Sequence, residues 1–87
     1  MIYLIYDYEE HGPTNLVATT TPANIPDALY KHFESRIHGN SIPAFWHDMY
    51  REATNSYEKL PETLTGDEEY ILTSGWGGTI LSVVNDF

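Results

Sequence analysis

The chain contains no cysteine, and only four of its 87 residues are Lys or Arg. The first absence excludes a disulfide framework, a thiol nucleophile and a thiolate metal site. The second is set against thirteen Asp and Glu and leaves a formal charge of −9 at pH 7. Such a surface repels nucleic-acid phosphates and anionic membranes, so direct binding to either is not expected. It favours cationic partners and speeds encounter with them. No segment approaches the ~20 apolar residues of a membrane-spanning helix. The opening run Met1-Ile2-Tyr3-Leu4-Ile5-Tyr6-Asp7 has no basic leader and no small-residue cleavage site. It reads as a strand, and the expected compartment is the cytoplasm.

A chain this short makes one domain, residues 1–87, which buries roughly 60–65% of its unfolded surface. Without disulfides, stability must come from apolar packing. Seven Tyr, three Phe and two Trp provide it, each able to bury on the order of 150–250 Å².

Local patterning predicts a ββααββ order. Ile2, Leu4, Tyr6 and Tyr8 alternate with Tyr3, Ile5 and Asp7, the period of a strand rich in β-branched and aromatic residues. Glu9-Glu10-His11-Gly12-Pro13 is turn chemistry, and Asn15–Thr20 returns as the second strand of a hairpin. The period then changes. Ile25, Ala28, Leu29, Phe33 and Ile37 follow at helical spacing, with Pro residues near the start and Gly39 expected as a left-handed stop. A second helix opens at Ser41-Ile42-Pro43 and carries the stripe Ile42, Phe45, Trp46, Met49, Ala53, Tyr57 and Leu60 until Pro61 ends it. Strand signals resume at Tyr70–Thr73 and Thr79–Val84, with Ser74-Gly75-Trp76-Gly77-Gly78 between them. The expected architecture is α+β: an antiparallel sheet covered on one face by an αα-hairpin.

The residue types of enzymes are present, but their spacing is wrong. His11, His32, His38 and His47 do not form the i,i+3 or i,i+4 pairs of a helical metal site. His32 lies beside an apolar stripe, where a boundary residue with one hydrogen-bond partner is expected. The Gly75–Gly78 loop precedes a strand and has no neighbouring Lys, so it does not match a phosphate-cradling loop. It reads as a tight hairpin whose glycines supply positive φ. No serine sits in a nucleophile-elbow sequence. A non-enzymatic protein without cofactor or metal is the reading that follows.

The acids are unevenly spread. Residues 1–40 hold five against two bases, a net of −3, whereas residues 41–87 hold eight against two bases, a net of −6. Asp48, Glu52, Glu58 and Glu62 face away from the second helix's apolar stripe, and the pairs Asp48/Glu52 and Glu58/Glu62 are repulsive at i,i+4. Asp67, Glu68 and Glu69 extend the surface, while Asp7, Glu9 and Glu10 make a separate patch. Carboxylates so arranged complement the Lys/Arg rows of a nucleic-acid-binding groove. The segments Asp48–Glu62 and Asp67-Glu68-Glu69, with the tyrosine-rich, cysteine-free composition, resemble small acidic phage-encoded anti-defence proteins, anti-CRISPR proteins among them.

The resemblance implies an inhibitor that docks on the basic nucleic-acid-binding site of a host nuclease or CRISPR-type effector in the bacterial cytoplasm. Asp48, Glu52, Glu58, Glu62, Asp67, Glu68 and Glu69 would make the charged contacts, with Trp76 or a surface tyrosine as the anchor. An immunity or antitoxin-type partner of a basic toxin uses the same physics. A small ligand-binding protein or enzyme would instead need a pocket of roughly 300 Å³. Oligomeric state is not readable from these residues.

Overall fold

A computed structural model describes residues 1–39, 42–74 and 77–85. Two strands, β1 (Ile2–Glu9) and β2 (Gly12–Thr19), precede two helices, α1 (Ile25–Gly39) and α2 (Pro43–Glu58). Two more strands follow, β3 (Glu68–Ile71) and β4 (Thr79–Val84). The strands form one sheet in the order β2-β1-β4-β3, and every pair is antiparallel. The ββααββ expectation therefore holds. Among the described residues, no helix is long and apolar enough to cross a membrane.

The core follows from the strand period. Tyr3, Ile5 and Asp7 of β1 lie opposite Val83, Leu81 and Thr79 of β4, and all six are buried. The alternate residues Ile2, Leu4, Tyr6 and Tyr8 point to the other side and are half-buried or exposed. Helix α1 closes the inner side with Ile25, Ala28, Leu29, Phe33 and Ile37, the stripe expected from its spacing. Burying such a stripe stabilises a helix far more than its intrinsic propensity does.

Helix α2 departs from expectation. Of its stripe only Ala53 is fully buried, and Trp46, Met49, Tyr57 and Leu60 are half-buried against the core. Ile42 and Phe45 are 56% and 50% exposed. The helix packs chiefly on α1 rather than on the sheet, so only part of its apolar face finds cover. It also ends at Glu58, before Leu60 and Pro61. Trp46 stacks on the Arg36 guanidinium, 4.4 Å from the ring centre, but its indole N–H is buried with no hydrogen-bond partner. Removing Trp46 removes that unmet donor along with the packing, and an unmet buried donor costs about 1–3 kcal/mol. Trp46→Ala is thus expected to destabilise by less than the ~3–5 kcal/mol of a fully buried aromatic. Urea unfolding would show this as a variant that stays folded.

Three smaller expectations are also corrected. β2 begins at Gly12, whose φ of 109° lets it turn directly out of the hairpin, three residues earlier than expected. β3 runs from Glu68 rather than Tyr70, because its ladder follows the Glu68↔Val83 to Ile71↔Ile80 register of β4. Gly39 is the last residue of α1 and lacks the left-handed φ. Gly77 does adopt positive φ, at 75°.

Candidate functional site

The described acids of the second half, Asp48, Glu52, Glu58, Glu62, Asp67, Glu68 and Glu69, are exposed, but they do not share one face. Asp48 and Glu52 stand on α2, and Asp48 approaches Arg51 at 3.6 Å with both side chains 73% exposed. A pair that open to water contributes little. Because α2 ends at Glu58, Glu62 is not its i,i+4 helical neighbour, which corrects the expected repulsive pair. Both instead line a half-open groove of about 400 Å³, over an apolar floor that includes Tyr3, Ile25, Tyr57 and Leu64. Glu68 lies opposite Val83 on the helix side of β3, and Glu69 opposite Ser82 on the outer side. Asp67 adopts a left-handed φ of 63°, and its carboxylate accepts a 3.0 Å hydrogen bond from the Asn85 side-chain amide. Part of its role is therefore to hold the chain beyond β4. Trp76 lies outside the described residues.

Asp7 does not belong to a surface patch with Glu9 and Glu10. It is 3% exposed, because it shares the inner side of β1 with Tyr3 and Ile5. Its carboxylate accepts four hydrogen bonds. Oδ1 takes His32 Nε2 at 2.8 Å and the Thr79 hydroxyl at 2.8 Å. Oδ2 takes Arg36 at 2.6 Å and the Asn15 amide at 3.2 Å. The cluster thus joins β1, β2, α1 and β4.

His32 is 3% exposed and has two partners where one was expected, since its Nδ1 also meets the Asn15 carbonyl oxygen at 2.8 Å. Both ring nitrogens face acceptors, so each donates when both bonds are made. Arg36 also donates to the His32 carbonyl at 2.8 Å, and its guanidinium lies 4.9 Å from the Phe33 ring centre. Burial alone would raise the Asp7 pKa. The hydrogen bond and charge of His32, the Thr79 hydroxyl and the Arg36 charge outweigh it and hold the carboxyl well below the usual carboxylate range.

A bulge in β2 makes this arrangement possible. Ile5 pairs with Val17 and Asp7 with Thr14, so Asn15 and Leu16 together stand against Tyr6. Asn15 takes φ of 55°, a conformation Asn tolerates better than most residues. The extra residue lets both its carbonyl and its amide meet the cluster. As built, the cluster has no idle ring nitrogen or carboxylate oxygen with which to act on a substrate, and its geometry is that of a structural clamp.

Two features in the sequence mark this cluster. His32 and Arg36 are i,i+4 on the face that carries Leu29 and Phe33, and Asp7 is in phase with Tyr3 and Ile5. Among the described residues, no group of three or more His, Cys, Asp or Glu side chains is placed to hold a metal ion.

The outer side of the sheet is the other notable surface. Ile2, Leu4, Tyr6 and Tyr8 of β1, Ile80 and Val84 of β4, and Ile71 of β3 share it, and neither helix lies over it. Ile71 is 70% exposed and Tyr8 63%. At that end a second half-open groove of about 470 Å³ is lined by Tyr8, Glu9, Glu10, Ile71, Thr73 and Ile80 among others. Both grooves exceed the roughly 300 Å³ a small ligand requires, so volume alone does not separate ligand binding from protein binding. Comparison with family models, with curated proteins and with solved structures finds no match.

Proposed function

We propose that the protein is a non-enzymatic inhibitor that binds a basic protein, using exposed carboxylates to occupy a site that otherwise holds nucleic-acid phosphates. A nuclease or CRISPR-type effector is the class of partner this chemistry fits. The observation that carries the reading is the uncompensated acid between α2 and β3. Glu52, Glu58, Glu62, Glu68 and Glu69 are all exposed. Among the described residues, the Lys or Arg that pairs with an exposed carboxylate is Arg51, and its partner is Asp48. A surface selected for solubility alone would interleave the two signs.

Physically, the carboxylates steer and orient while an apolar contact supplies most of the holding energy. Glu58 and Glu62 share a groove with an apolar floor, which suits the long stem and charged head of a partner's Lys or Arg. Asp48 and Glu52, further along α2, contribute to the field around that contact.

Reversing Glu58, Glu62 and Glu68 to Lys moves the formal charge from −9 to −3, two units for each substitution. All three are exposed, so folding should survive, with changes of about 0.5 kcal/mol or less each. Capture of basic proteins from a bacterial lysate is expected to weaken strongly in the variant. For the wild type it should weaken with salt, as screening shortens the Debye length below ~8–10 Å. Duplex DNA should displace the captured protein. Capture that survives reversal, high salt and DNA competition would overturn the reading.

A further inference from the structure

We propose that the outer side of the sheet, at its Tyr8–Ile71–Ile80 end, is a docking groove for a basic amphipathic segment of a protein partner. The inference rests on the cationic-partner reading above and adds a second, apolar contact, on the side of the sheet away from the Glu58/Glu62 groove. A four-stranded sheet with helices on one side can leave its other side to water, but such a side then alternates to polar residues. This one does not. Ile2, Leu4, Tyr6 and Tyr8 run along β1, Ile80 and Val84 along β4, and Ile71 stands on β3. A contiguous apolar surface of this kind on a small, highly charged chain marks a contact site.

The charges around it select the occupant. Glu69 shares the outer side with Ile71, and Glu9 and Glu10 line the groove beside Tyr8. The four strands contain no Lys or Arg, and all four such residues in the chain lie on α1, on α2 or at Lys59 just after it. A second copy laid face to face would bring carboxylate against carboxylate with no cation to offset them. A segment with apolar side chains on one side and Lys or Arg flanking them meets the apolar floor and the acidic rim together. Binding of that form follows the helix-in-groove pattern of peptide recognition, with the apolar side chains laid on the face of the sheet.

The test uses two synthetic peptides of equal positive charge. One is an amphipathic Leu/Lys helix former, and in the other every Leu is replaced by Ser. The wild-type chain should bind the Leu/Lys peptide tighter by on the order of tenfold, because only it can fill the apolar floor. Amide chemical-shift changes should fall on β1, β3 and β4. Tyr8→Ser/Ile71→Ser should bind both peptides alike. These positions are exposed, so the double variant is expected to fold, and Ile71→Ser alone serves if it does not.

Equal wild-type affinity for the two peptides would overturn the groove while leaving the charge reading intact. Shift changes confined to α1 and α2 would do the same. So would a wild-type dimer, seen by sedimentation, that Ile71→Ser dissociates. Failure of both peptides to bind would overturn the cationic-partner reading and the groove with it.

Discussion

Asp7→Ala is expected to destabilise the protein by about 3–5 kcal/mol, because removing one member of a buried charge cluster leaves the others uncompensated. The loss would take a large share of the 5–15 kcal/mol that holds an ordinary domain together. His32 and Arg36 would keep their places in the fold without the carboxylate that both address. Asn15 and the Thr79 hydroxyl would lose an acceptor as well.

Acid should reproduce part of this effect in the wild type. The Asp7 carboxyl is held below its unfolded value of about 3.9, so its contribution is complete above that pH and is lost as the pH falls below it. Asp7→Asn keeps the shape without the charge and should lose that part of the acid dependence. Urea unfolding of wild type and Asp7→Asn near neutrality and again below pH 4 checks the sign: the gap between them should narrow on acidification. A gap that stays constant would mean the cluster does not carry the linkage.

Phe33→Ala should cost a similar amount, about 3–5 kcal/mol, for an apolar reason. Phe33 is buried to 1% exposure and stands where α1, α2 and the Asp7 cluster meet. Its ring lies edge-on to His32 at 4.8 Å and tilted against Tyr50 at 5.8 Å, with the Arg36 guanidinium over its face. Truncation would open a cavity and remove one of the two aromatic rings, Trp46 being the other, against which Arg36 is held in line with Asp7. The distinguishing measurement is the double variant Phe33→Ala/Asp7→Ala. Because both act on Arg36 and His32, its loss of stability should be smaller than the sum of the single losses. Simple additivity would show that the aromatic and polar parts of the core are independent.

The amino-acid sequence by itself determined the element order. Its apolar residues change pattern, from the β-branched and aromatic run of Ile2–Tyr8 to a 3.6-residue spacing in Ile25–Ile37 and back to a strand-like run in Thr79–Val84, and such patterns depend only on neighbours along the chain. It also determined that α1 would bury Ile25, Leu29 and Phe33, since an apolar stripe of that width must face a core. Period does not say how deep a face is buried. Helix α2 has as regular a stripe as α1, yet it leans on α1 and leaves Ile42 and Phe45 in water.

Asp7 is in phase with Tyr3 and Ile5, but tertiary structure alone decided its partners. Read along the chain it is one acid among thirteen, beside Glu9 and Glu10. Its partners come from sequence positions 8 to 72 residues away, brought within 2.6–3.2 Å by the pairing of β1 with β4, the bulge in β2 and the seating of α1. A carboxylate is tolerated in a core only when it is paired and hydrogen-bonded, and no local pattern encodes the convergence of those donors. The outer side of the sheet, which neither helix covers, was hidden for a related reason. Alternation along β1 shows two apolar faces, and only the placement of both helices on one side decides which of them is left open.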